Sequence, residues 1–260
     1  MRKLIQTLLL VLASLSMQAQ TVINTEEMRL LQTDKKLVGL FDINLGTTRN
    51  KAGTYLKPKV DMRLELNEEN SRYILLGGYQ LTRFSRLNTP GALPTNFTNK
   101  GFGHFRYNRK LKDRLIWEAF TQIQYDEIQE IDQRFLVGTG PRFQLAKGDS
   151  LNIYFGSLYM YEYEETSDEV KVFNKHHRMS FYLSGNIQFN PFVGLSQITY
   201  FQPRLDQWSD FRVSTTTQLI ARISKHVSFD ISAEFLYDAL PPGTVPNTMY
   251  DISAGLAYVW

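Results

Sequence analysis

From Leu56 to Leu66 the chain alternates without a break. Leu56, Pro58, Val60, Met62, Leu64 and Leu66 are apolar, and Lys57, Lys59, Asp61, Arg63 and Glu65 between them are all charged. Successive side chains of a strand point to opposite faces of its sheet. Folded as a strand, this stretch has one apolar face and one fully charged face. Over about ten residues that is the pattern of a strand crossing a membrane, apolar toward lipid and polar toward a lumen. Pro58 is the irregularity, because it removes a ladder donor, and it is expected near the rim.

The same period of two recurs to the carboxyl end. Phe41, Ile43 and Leu45 alternate with Asp42 and Asn44. Trp117 and Ile123 flank Glu118, Phe120 and Gln122. Phe135, Val137 and Phe143 alternate with Asp132, Arg134, Gly138, Gly140 and Arg142. Phe181 and Leu183 alternate with Arg178, Ser180, Tyr182 and Ser184. Val227, Phe229 and Ile231 alternate with Ser228, Asp230 and Glu234. Tyr73 to Thr82 is fairly apolar on both faces, and for Val193 to Phe201 the facing is open. Twelve strands are predicted. Short turns at Asn67–Asn70, Lys112–Asp113, Ala146–Asp149, Asn190–Pro191 and Ser224–His226 alternate with polar loops at Thr48–Gly53, Ser85–Lys100, Asp126–Glu130, Glu164–Lys175, Arg204–Asp210 and Ala239–Thr248. Most of the second set are longer. Short periplasmic turns facing longer external loops characterise outer-membrane barrels; a Greek-key sandwich does not segregate its loops in this way. The predicted fold is all-β, a single antiparallel transmembrane barrel over residues 37–260.

The two ends carry address signals. Met1-Arg2-Lys3 precedes an apolar run from Leu4 to Leu15, too short to span a bilayer as a helix and arranged like a secretory signal peptide. Cleavage is expected after Ala19, with Ser16 as the alternative. Residues 20–36 read as a short periplasmic segment or a piece tucked into the barrel mouth. No later apolar run reaches the length of a spanning helix, so a membrane-spanning mature chain must be a closed barrel. At the other end, Ser253, Gly255, Tyr258 and Trp260 form a terminal strand that resembles the sorting signal read by the barrel assembly machinery. Leu256, Tyr258 and Trp260 would face lipid, and β-pairing with the first strand near Phe41 to Leu45 would close the barrel.

Composition removes several function classes. The chain has no cysteine, so there is no disulfide framework and no thiolate chemistry. Lys plus Arg is 29 against 26 for Asp plus Glu, without a polybasic run, which argues against nucleic acid as a partner.

Three stretches resemble one family. Phe41-Asp-Ile-Asn-Leu-Gly-Thr-Thr48 is similar to its first strand, with Thr47 where the family usually has Asn. Val137-Gly-Thr-Gly-Pro-Arg-Phe143 is similar to its glycine-rich strand. Phe235-Leu-Tyr-Asp-Ala-Leu-Pro-Pro-Gly-Thr244 with Asp251-Ile-Ser-Ala-Gly-Leu-Ala-Tyr258 is similar to its closing hairpin. The family is that of the salt-induced outer-membrane proteins, the domain of unknown function numbered 481. The resemblance implies an outer-membrane barrel of unassigned activity and carries over no catalytic residues.

The candidate functional residues are the inward charges. The basic set is Lys57, Lys59, Arg63, Arg106, Arg134, Arg142, Arg178, Arg212 and Arg222. The acidic set is Asp61, Glu65, Glu118, Asp132, Asp230, Glu234 and Asp251. One reading is a pore lining that sets ion preference. The other, favoured by the near balance of sign, is a salt-bridged network filling a narrow lumen. Gly138 and Gly140 face inward and make room for neighbouring side chains. His104, His176 and His177 could pair with Ser180 or Ser184 in a lipid-modifying enzyme, but no nucleophile-elbow motif or metal spacing supports that. No catalytic residue, metal ligand or cofactor is assigned. The expectation is a non-enzymatic envelope barrel with a structural or narrow-pore role, in contact with outer-membrane lipid and possible small solutes or ions. A passive porin, a lipid-modifying barrel and a soluble secreted β-sandwich are the alternatives.

Overall fold

The structure is a computed structural model. It describes residues 36–49, 53–86, 95–127, 129–166, 171–241 and 245–259. The signal peptide, the segment 20–36 apart from Lys36, and Trp260 lie outside the described residues.

The chain folds as β1 (Leu37–Arg49), β2 (Gly53–Asn67), β3 (Ser71–Arg86), β4 (Thr95–Lys110), β5 (Leu115–Asp126), β6 (Ile131–Lys147), β7 (Leu151–Thr166), β8 (Phe173–Gln188), β9 (Val193–Pro203), β10 (Phe211–Arg222), β11 (Val227–Asp238) and β12 (Thr248–Val259). Every strand pairs antiparallel with its neighbours in sequence. β1 pairs with β12, so the sheet is a closed barrel. Closure matters because hydrocarbon offers no partner to an exposed N–H or C=O, and strands that pair on both sides satisfy these groups within the wall.

One end of the barrel carries tight turns. Phe189 N–H donates to the Val193 carbonyl at 3.0 Å and Ile223 N–H to that of Val227 at 2.9 Å. The opposite, external end carries the longer connections. The wall rises further there than the sequence suggests. The predicted loops Ser85–Lys100 and Glu164–Lys175 contribute residues to strands, because polar rows go on pairing above the apolar belt. Glu164 lies opposite Asn174 and Lys100 opposite Asp126. Several strands therefore exceed the roughly 9–11 residues that a tilted strand needs to cross a bilayer.

The alternation sorts side chains as the period of two requires. Phe41, Met62, Phe105, Trp117, Val137 and Phe229 are exposed on the outside. Asp42, Arg63, Arg106, Glu118, Arg142 and Asp230 are buried on the inside. Inward apolar residues complicate this arrangement. Phe120, Leu136, Leu158, Met160, Tyr182, Ile198 and Tyr200 form one buried cluster within the lumen, on the side made by β5 to β9. Glycines make space for its rings: a Cβ on Gly138 would strike the ring of Phe120, and one on Gly156 the ring of Tyr182. Ile198 and Tyr200 of this cluster fix the facing of β9, and Ile74 and Leu76, buried inward outside the cluster, explain why β3 reads apolar on both faces.

Pro58 is not at the rim. It sits within β2, outward, opposite Leu45 of β1. The ladder to β3 runs from Leu56 opposite Arg83 to Lys59 opposite Gln80 and skips the residues between, as expected where proline supplies no donor.

The apolar exterior generates a prediction. Ile231, half-exposed near the middle of β11, should face the hydrocarbon. Ile231→Arg is expected to destabilise the folded barrel by about 2–4 kcal/mol, the cost of a basic side chain at the bilayer midplane. Urea unfolding in lipid, read by the heat-modifiable gel shift, measures it; an unchanged midpoint would place this face in water.

Candidate functional site: the charged lumen

Three groups of polar side chains occupy the lumen. The first surrounds Glu118 of β5, which is completely buried. Arg142 Nη1 of β6 donates to Glu118 Oε1 at 3.1 Å, and Arg106 Nη1 of β4 lies 3.8 Å from Oε2. The Tyr182 hydroxyl of β8 donates to Oε2 from across the lumen. With its amide nitrogen turned toward the carboxylate, Asn108 reaches Oε1 at 3.0 Å. The guanidinium of Arg142 lies 3.9 Å from the ring centre of Tyr154, and that of Arg106 lies 5.5 Å from Phe120. One carboxylate thus ties four strands together, and aromatic faces cover its cations.

The second group lies toward the external end and is built around two carboxylates of β7. Arg134 Nε donates to Glu164 Oε2 at 2.7 Å. Arg212 Nη1 donates to Glu162 Oε2 at 2.6 Å, and Arg178 Nε lies 3.4 Å from Glu162 Oε1. Arg212 Nε also donates to Asp238 Oδ2 at 2.7 Å, and Arg178 Nη2 to Asp210 Oδ1 at 2.9 Å. Asp210 belongs to the connection between β9 and β10, where its Oδ2 accepts from Arg204 Nη1 at 2.8 Å. The lattice therefore pins an external loop to the wall. All of its inward members are buried, and burial makes removal of one partner far costlier than at a surface.

The third group lies on the other wall. Lys59 Nζ is 3.3 Å from Asp61 Oδ2 and 3.2 Å from Glu234 Oε1, bridging β2 to β11 across the closure. Gln80 Nε2 donates to Asp251 Oδ2 at 3.3 Å. Asn44 donates to Asp42. Unlike the first two groups, Lys59, Asp61, Glu234 and Asp251 keep partial exposure. Near the periplasmic end of this wall, Arg63 Nη2 donates to Glu65 Oε2 at 2.6 Å and Arg72 Nε to Glu65 Oε1 at 2.5 Å.

The predicted charges divide accordingly. Arg106, Glu118 and Arg142 meet in the first group, Arg134, Arg178 and Arg212 in the second, and Lys59, Asp61 and Glu234 in the third. Arg63 and Glu65 pair with each other. Asp230 is buried on the same side as the third group. Lys57 and Arg222 face inward and make no ion pair among the described residues. Asp132 is a correction: it is exposed and bonded to Lys171 at 2.9 Å. A register shift between Ile131 and Gln133 turns Ile131 inward and moves Asp132 off the lumen row. Hydrogen bonds from Lys171 to Glu165 and Asp132 hold that exposed ammonium above its ordinary pKa.

The predicted charge set omits Glu162, Glu164, Asp210 and Asp238. For the β7 pair the signal was present in Tyr161-Glu-Tyr-Glu164, where carboxylates alternate with aromatic residues. Asp210 lies in a loop, where no periodicity points to it.

Among the described residues, none of His104, His176 and His177 is hydrogen-bonded to Ser180 or Ser184. His104 Nδ1 is 2.9 Å from Gln122 Oε1, and its ring stacks on Phe120. His177 points outward and bonds Tyr159. His176 lies opposite Glu162. Ser180 Oγ accepts from Gln202 Nε2 at 3.1 Å, and Ser184 is fully buried. In the closing strand, Ser253 and Gly255 face inward, and Tyr258 lies outward opposite Phe41.

No curated protein matches the chain in sequence. Among solved structures, the barrel is similar to the NanC porin, at 9% identity over 85% of this chain and 98% of that one, with a TM-score of 0.49. It is similar to the COG4313 outer membrane channel from Pseudomonas putida F1, at 10% identity over 92% and 99% of the two chains, with a TM-score of 0.49. The KdgM porin, solved in complex with disordered oligogalacturonate, shares 7% identity over 85% of this chain and 98% of its own, with a TM-score of 0.46. Likenesses at that level reach no further than the barrel itself. The sequence family is decided directly: the model of DUF481, proteins of unknown function, matches residues 43–260, and the chain belongs to that family.

Proposed function

We propose that the protein is a resident outer-membrane barrel with a narrow, weakly selective passage. The carrying observation is the filled half of the lumen. On the β5–β9 side, the apolar cluster and the Glu118 group occupy the interior as a core does. The inward charges that keep partial exposure lie on the other wall, where Lys57 and Lys59 of β2 and Lys100 of β4 accompany Asp61, Glu234 and Asp251, and this is the path left to water and ions. Opposite charges of similar number along one path favour neither ion sign, whereas a selective channel needs a ring of one sign. Residues 1–19 support export through a cleaved signal peptide, and the terminal strand supports delivery by the barrel assembly machinery. The Arg–carboxylate pairs of the filled half act as struts.

Two measurements test this reading. Purified barrel in planar bilayers should give small conductance steps with a reversal potential close to zero in a salt gradient; a large steady current would refute it. Glu118→Ala leaves Arg142 and Arg106 without their shared counter-charge. It is expected to cost about 3–5 kcal/mol, as for breaking a buried ion pair from one side, read by the urea midpoint in lipid. A loss below about 1 kcal/mol, the range of exposed pairs, would mean that water reaches this group and that the β5–β9 side is open.

A further inference from the structure

The closure between β1 and β12 is incomplete. Its register runs from Leu40 opposite Val259 to Asn44 opposite Gly255. Continued toward the external end, it would set Leu45 against Ala254, Gly46 against Ser253 and Thr47 against Ile252. None of these pairs forms, although β1 stays paired to β2 as far as Arg49 and β12 to β11 as far as Thr248. The two strands separate instead. Exposure rises in the same place: Leu45 is 70% exposed, Ile252 67% and Tyr250 73%, against 38% for Phe41 and 55% for Leu256 where the two strands pair. Unpaired backbone is costly against hydrocarbon and tolerated where it lines a polar cavity. The separation begins at Leu45, whose partner on the other side is Pro58, beside the skipped part of the β2–β3 ladder.

The two sides of this slit differ in chemistry. Its bilayer side carries Leu45, Tyr250 and Ile252. Its lumen side carries Lys57, which makes no ion pair among the described residues. Lys57 lies opposite Gly46. A Cβ on Gly46 would come within 3.3 Å of Lys57 Cβ and 3.8 Å of its Cδ, so the missing side chain lets the lysine stem lie across β1 at the level of the slit. Asp61 and Asp251 nearby disfavour a head group with more than one negative charge.

We propose that the external half of the β1–β12 seam is a lateral portal between bilayer and lumen. It takes a single-chain amphiphile with a carboxylate head, the chain lying against Leu45 and Ile252 and the head on Lys57. This rests on the seam and stands whether or not the lumen conducts ions.

The test uses the wild-type barrel in phosphatidylcholine nanodiscs with palmitate carrying a mid-chain diazirine. After irradiation, adducts are mapped by peptide mass spectrometry. They are expected to concentrate on the segments around Leu45 and Ile252, to fall to the level of the remaining lipid-facing belt in Lys57→Gln, and to persist in Lys57→Arg. Labelling spread evenly around the belt in the wild type overturns the portal. Seam labelling that survives Lys57→Gln overturns the assignment of the head group to Lys57. Lysophosphatidylcholine with the same diazirine should show no preference for the seam, and enrichment there equal to that of palmitate overturns the carboxylate specificity.

Discussion

Closure of the hydrogen-bonded sheet is the constraint on which the other features depend. A bilayer gives backbone groups no alternative partner, so the wall must return to its start. Once it does, every strand has one lipid face and one lumen face, and the period of two distributes residues between them. Charge placed at alternate positions is then forced inward, where it must find opposite charge or water. The Glu118 group and the Glu162–Glu164 lattice are the paired solution. The wall around Lys59 and Glu234 is the wetter one.

The paired solution also reinforces closure. Neighbouring strands are already joined by their ladder, but Tyr182 and Glu118, or Arg212 and Glu162, join strands that do not touch along their backbones. Such ties across the lumen resist flattening and ovalisation of the barrel in a way that ladder bonds cannot. Their worth lies chiefly in what happens when one partner is lost, since a buried pair gains little net free energy but a bereaved charge costs several kcal/mol.

Strand order and facing were legible wherever the lumen row is charged. Lys57 to Glu65 marks β2 from the sequence alone, because five consecutive alternate charges all fall on one face of a strand. Legibility failed for definable reasons. The alternation rule reads an apolar side chain as lipid-facing, so it cannot anticipate a lumen that carries its own apolar core; β3 and β9 looked ambiguous because Ile74, Leu76, Ile198 and Tyr200 belong to that core. A single register shift at Ile131 displaced Asp132 from the row to which parity assigned it. Asp210 escaped because a loop residue reaches its arginines only through the folded path of the chain. The expected facing of Trp260 and the segment 20–36 concern residues outside those described.

The distribution of these ties around the barrel is uneven, and that asymmetry has a mechanical consequence. β5 to β9 are joined by their ladders, by the apolar cluster and by arginine bridges spanning non-adjacent strands. β1 and β12 share only the short register from Leu40 to Asn44, supplemented on the lumen side by Lys59, which reaches from β2 to Glu234 of β11 and so bridges the seam from behind. Local opening free energies in a protein follow the density of such contacts. The seam is thus the element of the wall that opens at least cost, and Lys59 with Glu234 and Gln80 with Asp251 limit how far it opens. A barrel built in this way keeps a rigid side that preserves its shape and a compliant side that can exchange with the bilayer.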